Sequence, residues 1–168
     1  MTLRELYLAE KRLVRDLTWK GEGRGLVARS PLAIGSTTIE GLELMVRATT
    51  PLPDRDVRFM LRLSKSPSDI HLLERVCWRP KKPHNNKGLG PEEYRYVVQE
   101  GSHVHDMFLN WDEETDKMNE ANLPVAVPAL IDGFSVEAAF EFALARFNID
   151  PEGFNFEPPP WERGLFDE

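Results

Sequence analysis

The chain has 168 residues, of which 41% are hydrophobic and 29% are charged, a composition that excludes an intrinsically disordered protein. A chain of this length fits one domain and buries roughly 70% of the surface that the unfolded chain exposes, so the core needs no metal ion or disulfide. Its single cysteine, Cys77, excludes an internal disulfide and favours a reducing compartment.

The N-terminal segment is too highly charged for a signal peptide. It carries Arg4, Glu5, Glu10 and Lys11 and lacks the apolar centre that a secretory signal requires. No apolar run approaches the roughly 18 residues of a membrane span. We therefore expect a cytoplasmic protein without a membrane partner.

Charge is distributed unevenly along the chain. Residues 1–90 contain 17 Lys or Arg and 10 Asp or Glu, whereas residues 91–168 contain 4 and 18, giving net charges of +7 and −14. An asymmetry of this size indicates either a basic surface for an anion such as nucleic acid, or two halves that pair with each other within one fold.

The first predicted element is a helix over about 3–18. Thr2 and Glu5 have the spacing of a capping box, and apolar residues then recur at helical spacing as far as Leu17. A basic, glycine-rich turn over 20–25 follows the predicted helix.

The middle of the chain changes to a period of two residues. Within residues 37–64, apolar residues alternate with other residues over 42–47 and 57–63, which predicts two strands that each bury one face. Three further strands are predicted at 70–78, 94–99 and 103–109, with a loop over 79–91.

The last predicted element is a helix over 135–148, where Ser135 is a suitable N-cap and Asp150-Pro151 ends the pattern. We expect one α+β domain over 1–150, in which an antiparallel meander of five to six strands lies between an N-terminal and a C-terminal helix. An acidic, proline-rich tail, extended or disordered, is predicted over 151–168.

The most specific chemical feature is the pair His103 and His105. Residues i and i+2 of a strand point to the same face, so the two imidazoles would lie side by side. They could act as general acid and base, bind a metal ion, or serve only in packing. His84, in the loop before them, could assist catalysis or complete a set of three metal ligands.

The loop over 79–91 has the highest density of positive charge. Such a loop can neutralise phosphates, and a neighbouring tryptophan can stack on a base, although the same composition also suits a solubilising surface loop. The candidate nucleic-acid-binding residues are Trp78, Arg79, Lys81, Lys82 and Lys87.

Several short motifs resemble an uncharacterised family of small bacterial and phage-associated proteins, a domain of unknown function that is distantly similar to TumE-type toxins of toxin–antitoxin pairs. The matching residues are Pro83, His84 and Asn85; Gly101, His103 and His105; Asp116 and Lys117; and Gly164, Leu165 and Phe166. The resemblance implies an effector of a mobile-element or defence module. The family has no established activity or cofactor that could be transferred to this chain.

The sequence therefore leads to two expected functions and a third alternative. The first is a metal-independent, RNA-cleaving toxin in which His103 and His105 are acid and base, His84 assists, and the basic loop binds phosphate. The second is a non-catalytic acidic inhibitor that covers a basic protein partner. A metal-bound hydrolase using His84, His103 and His105 is a third possibility. Neither of the first two functions needs a cofactor.

Overall fold

The computed structural model describes residues 1–161, and residues 162–168, which include the predicted end of the tail and the Gly164-Leu165-Phe166 motif, lie outside the described residues. The fold is α+β and consists mainly of sheet, with two α-helices.

Residues 1–161 form two α-helices and thirteen strands. The helices are α1 (Leu3–Leu8) and α2 (Val136–Arg146), with a 3-10 turn at Glu92–Tyr94. The strands are β1 (Lys11–Leu13), β2 (Lys20–Glu22), β3 (Gly25–Ile34), β4 (Thr37–Thr49), β5 (Val57–Ser66), β6 (Asp69–Trp78), β7 (His84–Asn85), β8 (Val98–Gln99), β9 (His103–His105), β10 (Trp111–Asp112), β11 (Lys117–Met118), β12 (Val127–Pro128) and β13 (Ile149–Asp150).

The main sheet of the described chain has nine strands. Its order is β12-β9-β6-β5-β4-β3-β1-β13, and β2 pairs with β3 outside this path. The long strands β3 to β6 form an antiparallel meander at the centre of the sheet, of which β4, β5 and β6 were predicted. The prediction of a simple antiparallel sheet is wrong at the edge, where β1 and β13 run parallel.

Strands β4 and β5 confirm the two strands predicted from the period of two, and β6 confirms the strand predicted over 70–78. Most side chains of the inner face are buried, and the large Phe59 and Trp78 are fully buried. Burial does not alternate strictly, because several side chains of the outer face, such as Met45, are buried as well. Helix α2 is also confirmed: Ser135 Oγ accepts a hydrogen bond from the backbone N–H of Ala138, and Phe140 packs against Phe59.

The N-terminal helix is much shorter than predicted. It starts at the predicted capping box but ends at Leu8, and the chain then enters the sheet as β1. The buried ammonium of Lys11 explains the early end, because it donates hydrogen bonds to the carbonyls of Tyr7, Ala9 and Phe147 at 2.6–2.8 Å. Leu13 is buried as expected, but from a strand.

The second helix is not terminal, which corrects the predicted arrangement. Residues 151–161 follow α2 and β13 without forming a helix or strand, and they return to the core. Phe156 stacks on Phe140 with ring centroids 4.2 Å apart, and Trp161 is buried.

Strand β3 was missed, and the strand predicted over 94–99 is almost absent. The pattern of β3 is interrupted by Pro31, where the register with β4 shifts between Pro31 and Ala33. Within 94–99, only β8 is extended, and it pairs with β7. The predicted strand over 103–109 shortens to β9, which lies between β6 and β12 and not beside 94–99.

A buried carboxylate on β6 ties both helices to the sheet. Glu74 is fully buried; it accepts a hydrogen bond from the Tyr7 hydroxyl at 2.7 Å and another from Arg146 Nε at 3.0 Å. The same guanidinium also donates to Asp106 at 2.8 Å, directly after β9. Neither helix of the described chain is long and apolar enough to cross a membrane.

We expect Arg146→Met to destabilise the protein by roughly 3–5 kcal/mol, because removing one partner leaves the Glu74 carboxylate buried without its counter-charge. The free energy of unfolding in urea measures this loss. Arg4→Met is the control, since Arg4 is an exposed arginine of α1, and a change within about 0.5 kcal/mol is expected there. Equal stabilities of the two variants would contradict the assigned role of Glu74.

Candidate active site

Two adjacent strands bring four polar side chains to the outer face of the sheet, opposite the helices. On β9, His103 and His105 share one face as predicted. Their register partners on β6 are Cys77 and Arg75, respectively, and residues directly opposite each other across an antiparallel pair lie on the same face.

The β7–β8 hairpin folds over this face and places His84 on the other two histidines. The His84 ring stacks on His103 with centroids 5.3 Å apart and meets His105 edge-on at 4.7 Å. The His103 and His105 rings are 5.1 Å apart. The structure therefore brings together all three histidines that the sequence analysis selected, although they come from two separate segments.

Asn86 and Gly101 fix these segments in position. The Asn86 side chain exchanges two hydrogen bonds with the backbone of Ala126, each 2.9 Å long, and so ties the hairpin to the segment that enters β12. At Gly101, a Cβ atom would lie 2.6 Å from the Asp132 carboxylate, which accepts hydrogen bonds from both the backbone N–H and the hydroxyl of Ser102.

Carbonyl acceptors define the proton on each imidazole. His103 Nδ1 donates to Gly101 O at 3.0 Å, and His105 Nδ1 donates to Leu123 O at 2.6 Å. Nε2 of these two rings is therefore unprotonated in the neutral form.

His84 has the opposite tautomer. Its Nε2 donates to the side-chain oxygen of Asn86 at 2.9 Å and to Pro124 O at 3.0 Å, which leaves Nδ1 as the basic atom. His84 and His103 each keep one basic nitrogen that has no hydrogen-bond partner within residues 1–161.

Arg75 is the cation of the site. Its terminal nitrogen donates to His105 Nε2 at 2.9 Å, whereas its Nε is buried without a hydrogen-bond partner. Within residues 1–161, no Asp or Glu forms an ion pair with Arg75. A guanidinium with an unsatisfied donor and no carboxylate partner favours the binding of an anion.

Burial and positive charge keep two of the imidazoles neutral. Burial is the largest cause that lowers the pKa of His103, and the Arg75 and Arg58 guanidiniums act in the same direction. Burial and then the Arg75 guanidinium lower the pKa of His105 to about 2. Both side chains are almost fully enclosed.

A cleft of about 630 Å³ gives solvent access to one side of the cluster. It is lined by His84, Arg75 and Lys87, together with Glu120 and Leu123. His84 and Arg75 are thus the members of the cluster that line the cleft, while His105 lies beneath them with both nitrogens in hydrogen bonds.

The predicted nucleic-acid-binding residues occupy different environments. Trp78 is fully buried, so it offers no face to a base. Arg79 lies over the Trp78 ring and donates to the backbone carbonyls of Asp54, Asp132 and Phe134. The remaining three, Lys81, Lys82 and Lys87, are exposed.

Cys77, His103 and His105 offer three donor atoms that lie within 4.8 Å of one another. Cysteine and histidine are common zinc ligands, but a zinc ion requires thiolate and unprotonated ring nitrogens. Burial raises the pKa of the Cys77 thiol, and the Arg75 guanidinium occupies His105 Nε2. A zinc ion at these atoms would have to displace the thiol proton and the Arg75 guanidinium.

Arg75, Asn86 and Leu123 were missed by the sequence analysis. Arg75 and Cys77 have the same i, i+2 spacing as the histidine pair, which was the one local signal for a second polar row. Nothing in the sequence indicates the Leu123 carbonyl, because it reaches His105 through a non-local contact at a residue whose φ is 49°.

No protein-family model, curated protein or solved structure matches this chain.

We expect stability to fall as the pH is lowered from about 7 to about 5. In the unfolded chain His103 and His105 take up protons near their ordinary pKa of 6.5, whereas the folded protein holds them neutral. The unfolded state then binds more protons, so the free energy of unfolding decreases by on the order of 2–3 kcal/mol over this range. Urea titrations at several pH values measure the slope.

His105→Gln should reduce this slope, since one of the two titrating groups is removed. His71→Gln is the matched control, because His71 lies outside the cluster and pairs with Asp69. An unchanged slope in His105→Gln would show that this imidazole is already protonated in the folded protein.

Proposed function

We propose that this protein is an RNA-cleaving effector whose site is built from His84, His103 and Arg75, without a metal ion. The observation that carries the proposal is the Arg75 guanidinium: it lines a cleft, lacks a carboxylate partner within the described chain, and lies against a cluster of three histidines. An anionic substrate with a transferable proton fits this combination.

The anion is best supplied by a phosphodiester. Arg75 lines the cleft and can donate from its terminal nitrogens to a phosphate oxygen, and Lys87 on the rim of the same cleft adds a second cation. The exposed Lys81 and Lys82 extend the positive charge along the adjoining loop. Arg75 would also stabilise the additional negative charge that develops on phosphorus during the reaction.

We assign acid and base to the two ring nitrogens that have no hydrogen-bond partner within residues 1–161. His84 carries one of them at the cleft, and the enclosed His103 carries the other next to it. His84 Nδ1 removes the proton of the ribose 2′-hydroxyl, the 2′-oxygen attacks phosphorus, and the bond from phosphorus to the 5′-oxygen breaks. His103 Nε2 donates a proton to this 5′-oxygen, so the products are a 2′,3′-cyclic phosphate and a 5′-hydroxyl. The bound phosphate favours the protonated form of His103 by offsetting the nearby guanidiniums.

His105 is a positioning residue in this scheme. Both of its nitrogens are engaged, one with the Leu123 carbonyl and one with Arg75, so it holds the guanidinium at the cleft and exchanges no proton. This differs from the expectation that His103 and His105 themselves form the acid–base pair. The resemblance to TumE-type toxins supports a role in a mobile-element or defence module.

A non-catalytic inhibitor is the second candidate. It is favoured by the enclosure of His103 and His105 and by the acidic second half of the chain. No ion pair within residues 1–161 joins a Lys or Arg of the first 90 residues to an Asp or Glu of the remainder, so the acidic half keeps its charge available for a basic partner.

We expect His84→Ala and His103→Ala each to lower the rate of RNA cleavage by about 10²–10⁴-fold, while RNA affinity changes little, because each variant removes a proton-transfer group. Arg75→Gln should reduce both rate and affinity. Single-turnover cleavage of an RNA oligonucleotide, with filter binding in parallel, measures the two quantities. His71→Ala serves as the matched control.

The assays are repeated with EDTA, which should leave the cleavage rate unchanged. A rate that falls with EDTA and recovers with zinc would replace the acid–base scheme with a metal-dependent one. Wild-type protein that binds RNA without cleaving it would favour the inhibitor.

A second prediction concerns the pH dependence of cleavage. The acid, His103, must be protonated, and burial lowers its pKa below the ordinary 6.5. We therefore expect kcat/KM to be higher at about pH 5.5 than at about pH 7.5 and to fall by up to about tenfold per pH unit on the alkaline side. A rate that rises steadily to alkaline pH would exclude His103 as the acid.

A further inference from the structure

Four adjacent strands place arginines on the outer face of the sheet, and four of these arginines follow one line across it. They are Arg29 on β3, Arg47 on β4, Arg58 on β5 and Arg75 on β6. The cross-strand register shows that all four share a face: Arg47 pairs with Arg58, Arg58 with Cys77, and Arg29 with Met45, two residues before Arg47. A further arginine of this face, Arg62 on β5, lies off that line and pairs with Glu43.

These four arginines follow one another diagonally or directly across the four strands, and the last of them lies beside the histidines. Direct cross-strand neighbours lie about 5 Å apart and diagonal neighbours about 7–8 Å apart, so each step brings one guanidinium within reach of the next. The last member, Arg75, is the register partner of His105 and lines the cleft. We refer to Arg29, Arg47, Arg58 and Arg75 as the arginine row.

Buried methionines support the arginine row and keep its charges at the surface. Met45 and Met60 lie between the arginines and are almost fully buried, together with Val27, in a small apolar cluster on this face. Long arginine side chains can cover such a cluster with their aliphatic stems while the guanidiniums stay in water. Arg58 is exposed, and the side chains of Arg29 and Arg47 are 41% and 45% exposed.

Few carboxylates neutralise this row. Glu22 on β2 pairs with both Arg29 and Arg47, at 3.2 and 3.1 Å, and its own side chain is half exposed. Arg58 and Arg75 form no ion pair with a carboxylate in residues 1–161. Exposed ion pairs contribute about 0–1 kcal/mol, so a phosphate can displace Glu22 easily.

We propose that the arginine row is a track for the backbone of single-stranded RNA, which leads the strand across β3, β4 and β5 into the cleft at Arg75 and His84. The inference rests on the proposed function for its substrate, but it assigns a separate surface and a set of residues to binding. Successive phosphates lie on successive guanidiniums, and the scissile phosphate lies at Arg75.

A single strand fits this surface better than a duplex. The row follows one line of cations across neighbouring strands, which matches one phosphate backbone, whereas a duplex presents two backbones across a groove. Guanidinium planes also stack on unpaired bases, and Arg58 supplies an exposed one with no carboxylate partner within the described chain.

The test compares binding of a fluorescent single-stranded RNA oligonucleotide to the intact protein and to the triple variant Arg29→Gln/Arg47→Gln/Arg58→Gln. The variant should bind at least about tenfold more weakly at low salt, and the slope of log K against log salt should fall by about 2, which is roughly 0.7 for each of three phosphates. Replacing the same three residues by lysine should restore most of the slope.

Two further variants make the test independent of a general loss of charge. Arg4→Gln/Lys117→Gln removes two exposed cations that are not on the arginine row, and it should bind as the wild type does. Glu22→Gln frees Arg29 and Arg47 from their carboxylate and should strengthen binding. Thermal unfolding followed by circular dichroism checks that each variant is folded.

The outcomes separate this inference from the proposed function. If the triple variant binds and cleaves RNA as the wild type does, the arginine row is not the track, although the cleft can still be the active site. If the wild type never cleaves RNA but the triple variant loses binding, the track stands and the proposed catalysis fails. Tighter binding of duplex RNA, or of a polyglutamate peptide of equal charge, would overturn the assignment of single-stranded RNA.

Discussion

The fold depends on a buried carboxylate on β6. Glu74 has no contact with solvent, so it must be compensated from within the protein, and it receives the Tyr7 hydroxyl from α1 and the Arg146 guanidinium from α2. Because Arg146 also binds Asp106, the end of β9 is held to the same network. One charged group therefore positions both helices on the inner face and, through β9, the histidines on the outer face.

The next residue of β6 places a cation on the outer face. Successive side chains of a strand point to opposite faces, so the residue after Glu74 is Arg75, which lies among the histidines. On the inner side the guanidinium of Arg146 neutralises the carboxylate, whereas on the outer side Arg75 has no carboxylate partner in the described chain. Neutral imidazoles beside an uncompensated guanidinium are suited to an anion that brings its own negative charge.

The fold gathers part of the positive charge of residues 1–90 on one face of the sheet. The excess of Lys and Arg in residues 1–90 is not neutralised by ion pairs with the acidic second half of the described chain, and four of these arginines align across β3 to β6. The proposed cleft lies where this row meets β9. The arginine row and the proposed acid–base site thus adjoin on one face of one sheet, with the packed helices on the other.

The sequence by itself determined the strands β4, β5 and β6, the helix α2 and the spacing of His103 and His105, because each depends on local periodicity or on a local cap. It did not determine that α1 ends at Leu8, that β1 pairs with β13, or that β9 lies beside β6. Those features depend on contacts between distant segments, such as Lys11 with the Phe147 carbonyl and Arg75 with His105. Only the tertiary structure decided which histidine nitrogens stay open, since the acceptors that fix their tautomers lie in the backbone and in Asn86.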